Sequence, residues 1–250
     1  MSSRVFVGTA GWSIPTHLAA SFPEHGTHLE RYAQVFDGVE INSSFYRPHR
    51  TATYERWAAS VPDPFRFAVK MPKSITHERR LVDASDLVER FLAEVNGLDA
   101  KLGPVLVQLP PSLAFGDGTP GFFDTLRDRF AGAVVCEPRH PTWFTDAVDE
   151  LLAAYEIGRV AADPAPVPRA ATAGGSPSAR YYRLHGSPRM YYSPYGPAAL
   201  NAIARQLAAD VESGAAPWCI FDNTAAFEAV PDALATRERL RAGSPEPGQA

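Results

Sequence analysis

Six residues carry most of the chemistry available to this chain: Glu40, Lys70, Glu137, Arg139, Arg183 and His185. Paired guanidinium groups grip a phosphate or carboxylate through parallel N–H bonds, and a lysine adds a compact point charge. Arg139 and Arg183 are therefore expected to clamp an anion, with Lys70 beside them. Glu40 or Glu137 can act as general base. His185 can act as the acid, because an unperturbed imidazole titrates at about pH 6.5. The same residues also fit a plainer role, in which Glu137–Arg139 or Glu40–Lys70 ion pairs only hold the site's walls together.

Other chemistries use overlapping residues. Glu137, Asp163 and His185, with Asp222 near, are candidate ligands for a divalent metal, Mg²⁺ or Mn²⁺ for an oxygen-rich set and Zn²⁺ for a histidine-rich one. No compact ligand motif accompanies them, and the neighbouring cations oppose a metal, so the anion reading is preferred. A desolvated Lys70 would also suit a Schiff-base lyase, although only its position supports this. Five of the nine tyrosines fall within Tyr181–Tyr195, interleaved with Arg183 and Arg189, a composition able to stack bases or sugar rings. Trp12, Phe45 and Tyr46 offer an opposite wall. Asn42 and Gln108 line the site, His77 and His140 flank it, and Asn223-Thr224 opens a helix start suited to phosphate.

These residues need a scaffold that brings distant segments together. Eight short apolar runs have strand length: Arg4–Gly8, Gly38–Asn42, Arg66–Lys70, Pro104–Leu109, Ala133–Glu137, Gly158–Asp163, Arg180–His185 and Trp218–Asn223. Helical patterns lie between most of them. Thr27-His28-Leu29-Glu30 is a capping box. Ser85 precedes an apolar stripe through Val95, Thr119 and Thr145 open further helices, and Leu200, Ile203, Leu207 and Val211 form another stripe before Gly214. Alternating strands and helices imply parallel pairing, and eight units fit a single (β/α)8 TIM barrel over residues 1–241. The Pro/Ala/Gly-rich Asp163–Ala179 replaces the sixth helix with an irregular segment, and 242–250 is read as a disordered tail. A doubly wound sheet is the competing architecture, but Gly8-Thr9-Ala10-Gly11 lacks its glycine spacing.

Strand alternation then orders the polar residues. Glu40 shares a face with Asn42, Lys70 with Ala68, Gln108 with Leu106, and Tyr181 with Arg183 and His185. Asp163 shares a face with Ala161. Alternation does not choose between Asp222 and Asn223, because both faces of the last run are apolar. Seven runs thus end in a polar or ionisable residue, on the face where barrel enzymes build active sites.

The segments Gly8-Thr9-Ala10-Gly11-Trp12-Ser13, Val39-Glu40-Ile41-Asn42-Ser43-Ser44-Phe45-Tyr46-Arg47, Phe67-Ala68-Val69-Lys70 and Thr76-His77 resemble the YecE-like family, domain of unknown function 72. Gln108-Leu109-Pro110-Pro111, Glu137-Pro138-Arg139-His140, Arg183-Leu184-His185-Gly186 and Asp222-Asn223-Thr224 continue the likeness, which runs from about residue 4 to 240. The resemblance implies a TIM barrel and supplies no settled activity. Ala10 and Asp222 stand where that family commonly has serine and asparagine.

Composition narrows the partners. With 24 basic and 28 acidic residues the formal charge is −4, which excludes a generally basic nucleic-acid coat but not a local basic pocket. Cys136 and Cys219 are too few for a disulfide framework. No run approaches the roughly 20 apolar residues of a membrane span, and no signal sequence is evident. A cytoplasmic protein is expected. Its partner is a small anionic substrate, converted by hydrolysis, isomerisation or lyase chemistry. The alternative is non-catalytic binding of nucleic acid or another anion. Lysine occurs only at 70, 73 and 101 among the basic residues, and of these only Lys70 points inward at a strand end.

Overall fold

The computed structural model describes residues 4–116 and 118–243. Strands β1 (Phe6–Thr9), β2 (Gly38–Ile41), β3 (Arg66–Lys70), β4 (Leu102–Gln108) and β5 (Val134–Glu137) match five expected runs to within two residues at each end. The sixth run is split into β6 (Ile157–Arg159) and β7 (Ala161–Asp163). A short β8 (Gly174–Gly175) was not expected, and β9 (Tyr181–Leu184) and β10 (Trp218–Phe221) complete the set.

The architecture is α/β, with its ladders in two sheets instead of the expected single one. Four strands run in the order β1-β10-β9-β7 and six in the order β2-β3-β4-β5-β6-β8. Every pairing is parallel except that of β6 with β8. The split at Val160 has a local cause. Its N–H still donates to Cys136 in β5, whereas the next residue, Ala161, pairs with Tyr182 in β9. At the other edges, Ala10 bridges Glu40 in parallel, and the Gly11 N–H donates to the Glu40 carbonyl at 2.9 Å.

Period-2 alternation sorts the apolar residues into two layers. Ala68, Leu106, Val135, Val160, Tyr181, Trp218 and Ile220 pack together on the facing sides of the sheets. Trp218 is their floor, stacked on Phe6 and Tyr181. It lies so close to Gly38 that a Cβ there would be 2.9 Å from the indole, so β2 must begin with glycine. The opposite sides, with Val39, Phe67, Val107 and Cys136, meet the helices in the larger core.

The helices are α1 (His28–Ala33), α2 (Thr51–Ala59), α3 (Ser85–Val95), α4 (Gly118–Arg129), α5 (Asp146–Ala154), α6 (Pro197–Glu212) and α7 (Ala229–Gly243). The Thr27–Glu30 capping box forms, and Thr145 caps α5 through the Val148 N–H. No α-helix forms between β7 and β9. That segment holds only a 3-10 turn, Pro168–Ala171, and β8. Buried Arg159 secures it, donating to Asp149 and to the carbonyls of Arg169 and Thr172. The expected tail begins inside α7, and 244–250 lie outside the described residues. Among the described residues, no helix is long and apolar enough to cross a membrane.

Candidate functional site

Arg183 is the centre of the site. Alternation along β9 turns Tyr181, Arg183 and the following His185 to the inner layer. The Arg183 side chain is 1% exposed. Its Nε and Nη2 donate to the two oxygens of Glu40 at 3.0 and 2.8 Å, Nη1 donates to Glu137 at 2.6 Å, and Nη2 also donates to Asp222 at 2.9 Å. The Tyr181 hydroxyl adds a bond to Glu40 at 2.9 Å. One guanidinium thus joins β2, β5 and the end of β10. Buried carboxylates demand such partners, because an unpaired charge in a dry interior costs several kcal/mol or more.

This arrangement corrects the expected roles of two residues. Four of the five Arg183 N–H groups are taken by carboxylates, so it cannot clamp a ligand. Glu40 is fully buried with both oxygens engaged by Arg183 and Tyr181, which does not fit the expected general base. The Glu137–Arg139 pair forms, at 2.6 Å, whereas the partner of Glu40 is Arg183 instead of Lys70.

His185 sits one layer above. Its N–H donates to the Asp163 carbonyl, which fixes the backbone. Nδ1 lies 3.0 Å from Asp222 Oδ2, and Nε2 lies 3.0 Å from Glu137 Oε1 and 2.9 Å from Arg139 Nη2. A carboxylate only accepts, so Nδ1 carries the proton toward Asp222. Nε2 then accepts from Arg139 when the ring is neutral, or donates to Glu137 when it is charged. Burial drives Glu137 upward, but Arg183 and Arg139 outweigh it and hold the carboxyl well below the usual range. Burial likewise opposes Arg183 and His185 at Asp222, which also stays lowered.

Lys70 is the exception to this pairing. It is 7% exposed, yet among the described residues its Nζ makes no hydrogen bond or ion pair. Nζ lies over the face of Phe45, 4.0 Å from the ring centroid. Burial, and then Arg183, lower its pKa to about 8 against the pull of Glu40, Glu137 and Asp222. Ser44 sets this up: its hydroxyl lies within bonding distance of the Ile41 and Lys70 carbonyls, at 2.9 and 2.6 Å. The turn Ser43–Phe45 is thereby fixed against β3. His77 meets the same Phe45 ring edge-on and is lowered by burial and by Lys70.

The remaining candidates divide. Asn42 lies just past β2, in helical backbone at the start of the Ser43–Phe45 turn, and its Oδ1 is buried without a partner. Gln108 is spent on the Leu109 carbonyl. Trp12 packs on Trp57 and Phe67 in the helix-side core, so it is not a wall of the site. Tyr46 stands 69% exposed at the rim. His140 bonds Thr142 and shapes its own loop. Asn223 is fully buried and donates to the Ser193 carbonyl and Asp232, whereas Asp222 is the residue in the charged cluster.

Asp163 does not join Glu137 and His185, because Val160 belongs to the inner layer and an odd number of steps turns Asp163 the other way. Among the described residues, no group of three His, Cys, Asp or Glu is placed to hold a metal ion. The candidate metal set, which the sequence reading did not favour, is not assembled among the described residues.

Phe45 was expected in a wall and Tyr181 and Tyr191 in a stacking cluster; their contacts here are instead with Lys70, Glu40 and His185. Tyr191, at φ +69°, covers His185 edge-on, and no local pattern announces that contact.

The chain is 33% identical over 150 residues to UPF0759 protein YecE of Escherichia coli strain K12, and 26% identical over 158 residues to UPF0759 protein YunF of Bacillus subtilis. These alignments cover 58% and 56% of this chain and 52% of each relative, so the chain spans about half the length of the curated relatives it matches. Crystal structures of DUF72 family proteins share the fold. One from Enterococcus faecalis V583 gives a TM-score of 0.80 at 18% identity, covering 98% of this chain and 99% of that one. One from Thermotoga maritima MSB8 gives 0.78 at 23% identity, covering 95% and 99%. The model of the family described as protein of unknown function DUF72 matches residues 6–250, and the chain belongs to that family.

Proposed function

We propose that this protein is an enzyme acting on a phosphorylated or phosphoester substrate, with the anion held at Lys70. One observation carries the reading: Lys70 is 7% exposed and its Nζ has no acceptor among the described residues, beside carboxylates that are all paired. An ammonium in that position is left for a ligand, because burial without one costs free energy. Arg139 is the second contact, being the guanidinium with N–H groups to spare. His185 is the proton carrier, oriented by Asp222 through Nδ1 as an imidazole must be to exchange protons at Nε2.

We further read the two sheets as one eight-stranded barrel with β6 and β7 as a single bent strand. The Ala10–Glu40 bridge supports this, and so does the closeness of β1 to β2, where a Cβ on Gly8 would fall 2.0 Å from the Gly38 carbonyl oxygen. In that reading the site occupies the C-terminal mouth.

Titration of the wild type and Lys70→Met with inorganic phosphate at pH 7 tests the anion site. At least a tenfold loss of affinity is expected in the variant, and unchanged affinity overturns the reading. A screen of phosphomonoesters and phosphodiesters tests catalysis, with His185→Ala expected to abolish turnover while phosphate still binds.

A second reading, as a nucleic-acid binder, draws on exposed Tyr46 and on Arg189 stacked 3.9 Å over Tyr192. It predicts affinity that falls steeply with salt and survives Lys70→Met.

A further inference from the structure

Two other polar atoms near Lys70 have no partner. Asn42 Oδ1 and Arg139 Nε are both buried without a hydrogen bond, although such groups are nearly always satisfied in folded proteins. Their placement relates them to Lys70. β2 and β3 pair Ile41 with Val69, and the turn that Asn42 opens is tied to Lys70 by the Ser44 hydroxyl on the Lys70 carbonyl at 2.6 Å. Lys70 and Arg139 both act on Glu137, Arg139 by a direct bond and Lys70 through space. The three open positions differ in kind. Lys70 Nζ and Arg139 Nε can only donate, and Asn42 Oδ1 can only accept. A bare oxyanion satisfies the two donors and leaves, or repels, the acceptor.

We infer that the ligand carries an O–H donor next to its anionic group, so that Lys70 and Arg139 take the oxyanion while Asn42 Oδ1 accepts from the neighbouring hydroxyl. The ligand class is a hydroxylated small anion, such as a polyol phosphate. This deepens the anion reading and rests on it. Specificity follows from the geometry, because an analogue without the hydroxyl leaves the buried Asn42 oxygen unpaired.

Matched probes test it by calorimetric titration: glycerol 3-phosphate and propyl phosphate, which differ in hydroxyls alone. The wild type is expected to bind the hydroxylated probe roughly 2- to 12-fold more tightly, the range for one net hydrogen bond. Asn42→Ala is expected to bring that ratio to one. Asn42→Asp, which keeps an acceptor oxygen in the same shape, keeps the ratio while weakening both probes. Equal binding of the two probes by the wild type, or a ratio that persists in Asn42→Ala, overturns the inference alone. Binding of both probes that survives Lys70→Met, or failure of both to bind the wild type, overturns the anion reading with it.

Discussion

Replacing Arg183 by methionine keeps most of the side-chain volume and removes the charge that three carboxylates share. Glu40 is fully buried and would retain only the Tyr181 hydroxyl. Glu137 would retain Arg139, and Asp222 would retain His185. Breaking a buried ion pair costs about 3–5 kcal/mol, and Glu40 is the carboxylate left in that condition. The loss at pH 7 is therefore expected to be about 3–5 kcal/mol, a large fraction of the roughly 5–15 kcal/mol that holds a typical domain.

The pH dependence has a definite sign. In the wild type the lowered pKa values of Glu137 and Asp222 contribute stability that is present above the unfolded carboxyl pKa and lost as pH falls through the folded values. In the variant the guanidinium that helps hold both of these carboxyls low is gone, so this contribution shrinks. Urea unfolding of both proteins between pH 4.5 and 8 should show a gap that widens with pH. A gap below about 1 kcal/mol at pH 7, or one independent of pH, would refute the claim that Arg183 neutralises a buried acid cluster.

Three further outcomes follow from other parts of the molecule. Lys70 titrates at about 8 when folded against 10.5 as its reference, so the folded state gives up the proton first. Wild-type stability relative to Lys70→Met should therefore rise between pH 8 and 10.5, while phosphate affinity falls over the same span; a flat difference would show that the ammonium is not buried. Gly8→Ala forces a Cβ against the Gly38 carbonyl at the β1–β2 seam and should cost at least the 1–3 kcal/mol typical of overpacking, measured by chemical denaturation. Asn223→Ala strips Asp232 of a donor at 2.7 Å, leaving the Tyr195 N–H. Burial already raises the Asp232 carboxyl, so this variant should lose about 1–3 kcal/mol at pH 7 and less at pH 4.5.

The sequence alone determined the periodic features. Alternation in Val39–Asn42, Phe67–Lys70 and Arg180–His185 assigned Glu40, Lys70, Arg183 and His185 to one layer, and side chains of strands must follow that rule whatever packs around them. Capping at Thr27 and Thr145 was equally legible, because it depends on atoms three residues away. Asp222 and Asn223 were not separable, since Trp218–Phe221 is apolar on both faces and both faces are covered. The disfavoured alternative of a metal set with Asp163 was misplaced for a related reason. The chain changes partners at Val160, and the register of that switch depends on β5 and β9, not on the run itself.

Only the tertiary structure decided which opposite charges meet. Arg183 takes Glu40, Glu137 and Asp222, from positions 143, 46 and 39 residues away in sequence. Nothing local in the chain encodes that choice, because Coulomb attraction depends on distance and burial and every acid near the site is a formal match. What the pairing leaves over is also a tertiary fact. Lysine at position 70 was visible as a rarity among arginines, but its lack of an acceptor exists only once the other cations have taken theirs.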